Sequence, residues 1–130
     1  LMAHVGDSSA FLANGNGLRK VSRDHTVAQD FLDKNIDAED IAEHYHHTLT
    51  RCMGQDTDFK VDLSEHEFHP GDRILICSDG VTNMIEPEEL EKMCMSSDDP
   101  QVCASQMVDK ANENGGHDNS TAVCIFALEQ

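Results

Sequence analysis

At 130 residues the chain is one domain's worth of sequence, and 38% hydrophobic with 26% charged residues is the composition of a globular protein in water. Its 25 acids against 9 lysines and arginines give a formal charge of −16, which repels nucleic-acid phosphates and anionic membrane surfaces and suits divalent cations. No apolar run approaches the ~20 residues of a membrane span, no stretch reads as a cleaved signal segment, and five cysteines without a CxxC pair point to a reducing, cytoplasmic setting.

Leu1 to Val5 and Ala10 to Ala13 read as strand. Asn14-Gly15-Asn16-Gly17 is a hairpin signal, so the return strand runs over Leu18 to Ser22, and Asp7 is expected on the hairpin's first arm. The opening Leu1-Met2-Ala3-His4-Val5 starts inside a strand, as expected of a piece of a longer chain. Asp24 and Thr26 offer caps for a helix over Val27 to Lys34, with Val27, Phe31 and Leu32 on one face. Asp37 to His47 is predicted helical, and residues from about 24 to 56 form a polar flap rather than core.

Phe59, Val61 and Leu63 alternate with Lys60 and Asp62, the period of a half-buried strand with the apolar residues inward. The Pro70-Gly71-Asp72 turn leads into a continuous apolar run, Ile74 to Cys77, read as a buried strand. Pro87 starts a helix over Glu88 to Met95 with Leu90, Met93 and Cys94 on its apolar face. Asp98-Asp99-Pro100 caps a longer helix to about Asn112 carrying Val102, Cys103, Met107, Val108 and Ala111 at helical spacing. Asn114-Gly115-Gly116 ends it, and a strand from Thr121 to Leu128 closes the chain.

Asp7, Asp79 and Asp118 each lie beside glycine or a tight turn next to an apolar run. Three loop carboxylates at three strand ends can converge on one mouth, the arrangement that holds hard cations such as Mg²⁺ or Mn²⁺. The other reading makes each an isolated turn residue, with Asp79 merely capping the turn that follows it. Gly80 lets the backbone turn away after Asp79 without a Cβ clash.

Four stretches in order resemble one family. Ala3-His4-Val5-Gly6-Asp7-Ser8, Leu49-Thr50-Arg51-Cys52-Met53-Gly54, Gly71-Asp72-Arg73-Ile74-Leu75-Ile76-Cys77-Ser78-Asp79-Gly80 and Gly115-Gly116-His117-Asp118-Asn119-Ser120-Thr121 are similar to motifs of the PP2C family of metal-dependent (PPM-type) serine/threonine protein phosphatases, in its bacterial form. The resemblance covers the C-terminal half of the family domain and implies an α+β fold, half of an α/β/β/α sandwich of antiparallel sheets flanked by helices. It implies that Asp79 bridges two core Mn²⁺ or Mg²⁺ ions, that Asp118 is the other core ligand from this half, and that Asp7 helps to hold a third, weaker ion. Asn83 stands where the family often has a further aspartate, which weakens that third site, and Ser9 replaces the arginine of the first motif.

In the complete domain the implied reaction is hydrolysis of phosphoserine and phosphothreonine in proteins by a metal-activated water, with no side-chain nucleophile. The family's first half supplies a phosphate-binding arginine, an acidic pair and an Asp-Gly that holds the core metals. The chain alone is therefore expected to bind metal weakly and to be inactive. It is also expected to associate with itself, or with the missing half, to cover an open sheet face. The alternative is a catalytically inactive PP2C-like regulatory or protein-binding module. His44 and His47, three apart in the flap, lack an evident partner ligand and read as exposed residues. His117 is a weak candidate for touching substrate, Met93, Met95 and Met107 read as core, and Glu86, Glu88, Glu89 and Glu91 as a solvated helix start.

Overall fold

The computed structural model describes residues 1–56, 58 and 60–128. In chain order its elements are β1 (Met2–His4), β2 (Ser9–Asn14), β3 (Gly17–Lys20), α1 (Val27–Asp33), two single-turn 3₁₀ segments (Ala38–Asp40 and Glu43–His47), β4 (Asp62–Ser64), β5 (Arg73–Cys77), α2 (Asp79–Thr82), α3 (Pro87–Ser96), α4 (Pro100–Glu113) and β6 (Ala122–Phe126). They divide into two compact units, one of Leu1–Asp7 with Arg23–His66 and one of Ser8–Ser22 with the chain from Glu67 onward. No helix among the described residues is long and apolar enough to cross a membrane.

The larger unit is an antiparallel sheet in the order β3-β2-β5-β6, with helices packed on one face. Register explains why one face is covered. Residues paired across an antiparallel ladder share a side, so Phe11 opposite Leu75 opposite Cys124, and Cys77 opposite Ala122, all point at the helices. There they meet Val81, Ile85, Leu90, Cys94, Cys103, Met107 and Ala111. The other face carries Ile74 opposite Ile125 and Ile76 opposite Val123, of which Ile76, Val123 and Ile125 are 39%, 48% and 43% exposed. The Ile74 to Cys77 run is thus a strand as expected, but only its Leu75 and Cys77 side is buried.

Side chains fasten the helices to this sheet. Asp99 accepts from the Val102 N–H at 2.9 Å and caps α4, as the sequence predicts. Arg73 lies over the Phe126 ring at 4.3 Å and donates to the carbonyls of Cys94 and, at 2.7 Å, Ser97, satisfying acceptors at the C-terminal end of α3. Glu91 is not simply solvated, since its carboxylate accepts from the Leu18 N–H at 3.3 Å. Three of the cysteines touch inside the core: hydrogen bonds with Cys103 and burial raise the pKa values of the Cys94 and Cys124 thiols, while burial pushes Cys77 up to about 12.

The β2–β3 hairpin closes where Asn14 faces Gly17, and the positive φ that its turn requires falls on Gly17 at 112°. β1 is not part of that hairpin. It pairs with β4 in the other unit, and Asp7 follows it in the turn after Gly6 rather than on a hairpin arm.

In the smaller unit Thr26 caps α1 through its side-chain oxygen, 3.2 Å from the Gln29 nitrogen. The predicted apolar face of α1 differs: Ala28 is the buried residue, Leu32 is exposed, and Phe31 sets its ring edge-on to Tyr45 with centroids 5.3 Å apart. Asp37 to His47 is not one helix. Between its two 3₁₀ turns Ile41 and Ala42 are extended, and of the helically spaced Ala38, Ile41, Ala42 and Tyr45 only Ile41 is buried, too little packing to hold a helix. β4 is inverted relative to its predicted polarity, with Leu63 69% exposed, Val61 exposed and Asp62 turned to partners within the unit. Phe59, counted in that alternation, lies outside the described residues.

Candidate functional site

β5 and β6 lie side by side, and the loops at one end of this pair carry Asp79 and Asp118. The ladder ends at Cys77 opposite Ala122, yet the two segments stay joined beyond it. The Ser78 N–H donates to the Thr121 carbonyl at 3.0 Å, and the Thr121 N–H donates back to the Ser78 hydroxyl at 3.0 Å. That hydroxyl donates onward to the Asn119 carbonyl at 3.2 Å, and the Ser120 hydroxyl donates to the Gly80 carbonyl at 3.1 Å. Both sequence neighbours of Asp79 are therefore bonded to residues one to three positions past Asp118.

Gly80 has a different role from the one its sequence position suggests. A Cβ there would stand 2.2 Å from the Asn119 carbonyl oxygen, so glycine is required by the close approach of the two loops. Asp79 is half-buried at the first position of α2, after the extended Ser78. Asp118 is exposed, and one of its carboxylate oxygens accepts its neighbour's N–H, that of Asn119, at 2.7 Å. Asn83 closes α2 through its N–H to the Asp79 carbonyl at 2.8 Å, with its side chain exposed.

The donor chemistry here fits a hard divalent cation, since carboxylate oxygens are its preferred ligands. Their number does not complete a shell. Among the described residues no group of three or more His, Cys, Asp or Glu side chains gathers to hold an ion.

Asp7 belongs to the smaller unit and is half-buried behind Gly6, whose φ of 108° only glycine adopts readily. Around Gly6 lies a polar cluster that the sequence reading missed. The Gly6 N–H donates to His25 Nδ1 at 3.1 Å, and the backbone N–H of His25 donates to the Gly6 carbonyl at 2.9 Å. The opposite ring nitrogen, Nε2, is 2.8 Å from Asp62 Oδ2. Arg51 Nη1 donates to Asp62 Oδ1 at 2.8 Å and to the Lys60 carbonyl at 3.1 Å. Its partners lower the Asp62 pKa below the ordinary value of 3.8, the His25 hydrogen bond foremost and then Arg51. The available signal was Asp62 itself, a charge inside an apparently apolar strand pattern.

The discounted histidines stay apart from this chemistry. His47 stands 3.5 Å from Glu43, His44 stacks on Tyr45 with ring centroids 4.0 Å apart, and His117 is exposed with its ring near Gly115.

No family model matches the chain. Relatives are nonetheless found by sequence and by fold. Over 127 residues, 96% of its length, the chain is 34% identical to the serine/threonine phosphatase stp of Listeria welshimeri and covers 50% of that protein. Among solved structures, the serine/threonine phosphatase of S. agalactiae superimposes with a TM-score of 0.89 at 25% identity, covering 98% of this chain and 53% of that one. The catalytic domain of the phosphatase PstP, solved in complex with two manganese ions, superimposes with a TM-score of 0.80 at 26% identity, covering 98% and 53%. The chain spans about half the length of the curated relatives it matches. In both sequence and fold the chain is similar to about half of these serine/threonine phosphatases, one of its relatives being the putative protein phosphatase 2C-type of Streptococcus pyogenes, 31% identical over 127 residues.

Proposed function

We propose that this chain is the C-terminal half, with a flap over residues 24–56, of a domain that removes phosphate from phosphoserine and phosphothreonine in proteins with Mn²⁺ or Mg²⁺. Asp79 and Asp118 are its ligands to the two core ions, and Asp7, in the smaller unit, is a carboxylate ligand to a further, weaker ion. The observation that supports this best is the bonding of Ser78 and Gly80 to Asn119, Ser120 and Thr121, which keeps the Asp79 and Asp118 segments adjacent. Bound divalent cations supply the positive charge that lowers the pKa of water and neutralises a phosphate dianion. The chain's own part is to hold the two carboxylates still on the ends of β5 and β6 and to offer no nucleophile of its own.

Half a ligand set makes a weak site, so the 130-residue chain alone is inactive. With p-nitrophenyl phosphate and Mn²⁺ it should give no turnover above the metal-only blank, and turnover at an ordinary phosphatase rate would refute the inactivity. In a Mn²⁺ titration followed by ¹⁵N NMR, amides near Asp79 and Asp118 should broaden first in the larger unit, and Asp79→Asn should abolish this. Broadening spread evenly over the acidic surface would remove the metal assignment.

The partly exposed strip of Ile74, Ile76, Val123 and Ile125 is covered, on the same reading, by the other half of a relative-length domain. Without that half, two copies meet there. Light scattering of the isolated chain should give a mass above the monomer, and a clean, stable monomer would count against the cover.

A further inference from the structure

We propose that His25 is a positioning residue for Asp7, gripping the Gly6 peptide while Asp62 and Arg51 grip the His25 ring. The inference rests on the reading of Asp7 as a metal-binding carboxylate. Gly6 is the softest link before that carboxylate, because a glycine backbone rotates more freely than any other. Its φ of 108° sets the direction in which the backbone enters Asp7. Residue 25 holds Gly6 from both sides, its ring Nδ1 accepting from the Gly6 N–H at 3.1 Å and its backbone N–H donating to the Gly6 carbonyl at 2.9 Å; only the first of these is the imidazole's.

The ring's protonation follows from its partners. A Gly6 N–H pointing at Nδ1 requires that nitrogen to be bare, so in the neutral ring the proton sits on Nε2 and is donated to Asp62 Oδ2. Arg51 Nη1, 3.3 Å from Nε2, is then a second donor and not a partner of the ring. Its hydrogen bonds go to Asp62 and Lys60, so it orients the carboxylate that orients the imidazole. The His4 ring packs against His25 with centroids 5.0 Å apart and limits tilting. A fully buried imidazole with both nitrogens engaged is a fixed strut.

A purely structural role, satisfying one buried histidine, would make any loss of the ring equivalent. A positioning role distinguishes the two nitrogens. His25→Asn keeps an acceptor where Nδ1 stands, whereas His25→Gln keeps a polar group toward Asp62 and withdraws from Gly6. Two measurements on the ¹⁵N-labelled chain separate them: hydrogen exchange at the Gly6 amide, and Mn²⁺-induced broadening at the Asp7 amide. His25→Gln should speed Gly6 exchange by about tenfold and weaken the Mn²⁺ effect at Asp7 by several-fold, with the β1–β4 amides still protected; His25→Asn should keep both within about twofold. Equal behaviour of the two variants, or an unchanged Gly6 amide, overturns the proposal.

If wild-type Asp7 shows no Mn²⁺ broadening while Gly6 exchange still responds to His25→Gln, Asp7 is not a ligand. The grip on Gly6 then exists without the positioning role. Should both His25 variants fail to fold, Asp62→Ala, at a partly exposed side chain, removes the ring's second anchor. It should speed Gly6 exchange about threefold, and no change there also overturns the proposal.

Discussion

The helix-backed sheet buries Phe11, Leu75, Val81, Ile85, Leu90 and Met107 in one continuous core, whereas the unit of Leu1–Asp7 and Arg23–His66 buries only Ala28 and Ile41 among its described hydrophobic residues. What that smaller unit buries instead is polar: His4, His25 and Thr26. Apolar burial of one large side chain contributes about 2–3 kcal/mol, while a hydrogen bond nets about 1 kcal/mol. The first unit therefore holds its shape by area, and the second by the geometry of a few paired groups. The first should tolerate changes of pH and the second should not. The second should also open locally at lower free energy.

The sharpest way to break this comparison is to cut one leucine from each unit. Leu75→Ala leaves a cavity beneath the sheet and should cost about 3 kcal/mol in urea denaturation. Leu63→Ala, on the exposed side of β4, should change stability by less than about 0.5 kcal/mol. A large loss at Leu63 would mean that β4 buries its apolar side and that the polar account of this unit is wrong.

A smaller effect should appear on acidification. The folded Asp62 carboxyl, held low by His25 and Arg51, binds its proton less tightly than the unfolded one, so it adds stability above the unfolded value of 3.8 and loses it as pH falls through the lower folded value. The gap between wild type and Asp62→Asn should be at most about 1 kcal/mol near neutrality, because the side chain is partly exposed, and should close below that window. Denaturation curves at a series of pH values would test it. A gap that persisted at pH 2 would show that the carboxylate's charge is not what stabilises the unit.

Most of the larger unit was legible in the sequence. Pro87 and Asp99-Pro100 marked the helix starts, Asn14 to Gly17 marked the hairpin, and the cysteines and methionines at helical spacing marked the core. These are local signals, set by the φ preference, missing N–H or capping side chain of one residue or by apolar spacing within one helix. The smaller unit was read less well. Asp37 to His47 looked helical but buries only Ile41 of its apolar residues, too little packing to hold a helix, and β4 looked inward-facing by alternation until its aspartate found His25. Alternation reports polarity along a strand; it does not report which side has partners.

What the chain determined by itself was an acidic molecule with its turns, caps and apolar runs in place, and four motifs shared with one phosphatase family. Such features depend on residues close in sequence. Tertiary structure decided the rest: that Gly80 is needed because the Asn119 carbonyl approaches it, that Ile76, Val123 and Ile125 on one face of the sheet are left partly exposed, and that His25, Arg51 and Asp62 act as one group around Gly6. The side-chain hydrogen bonds involved join residues 11 to 41 positions apart, and no local preference encodes such a pairing.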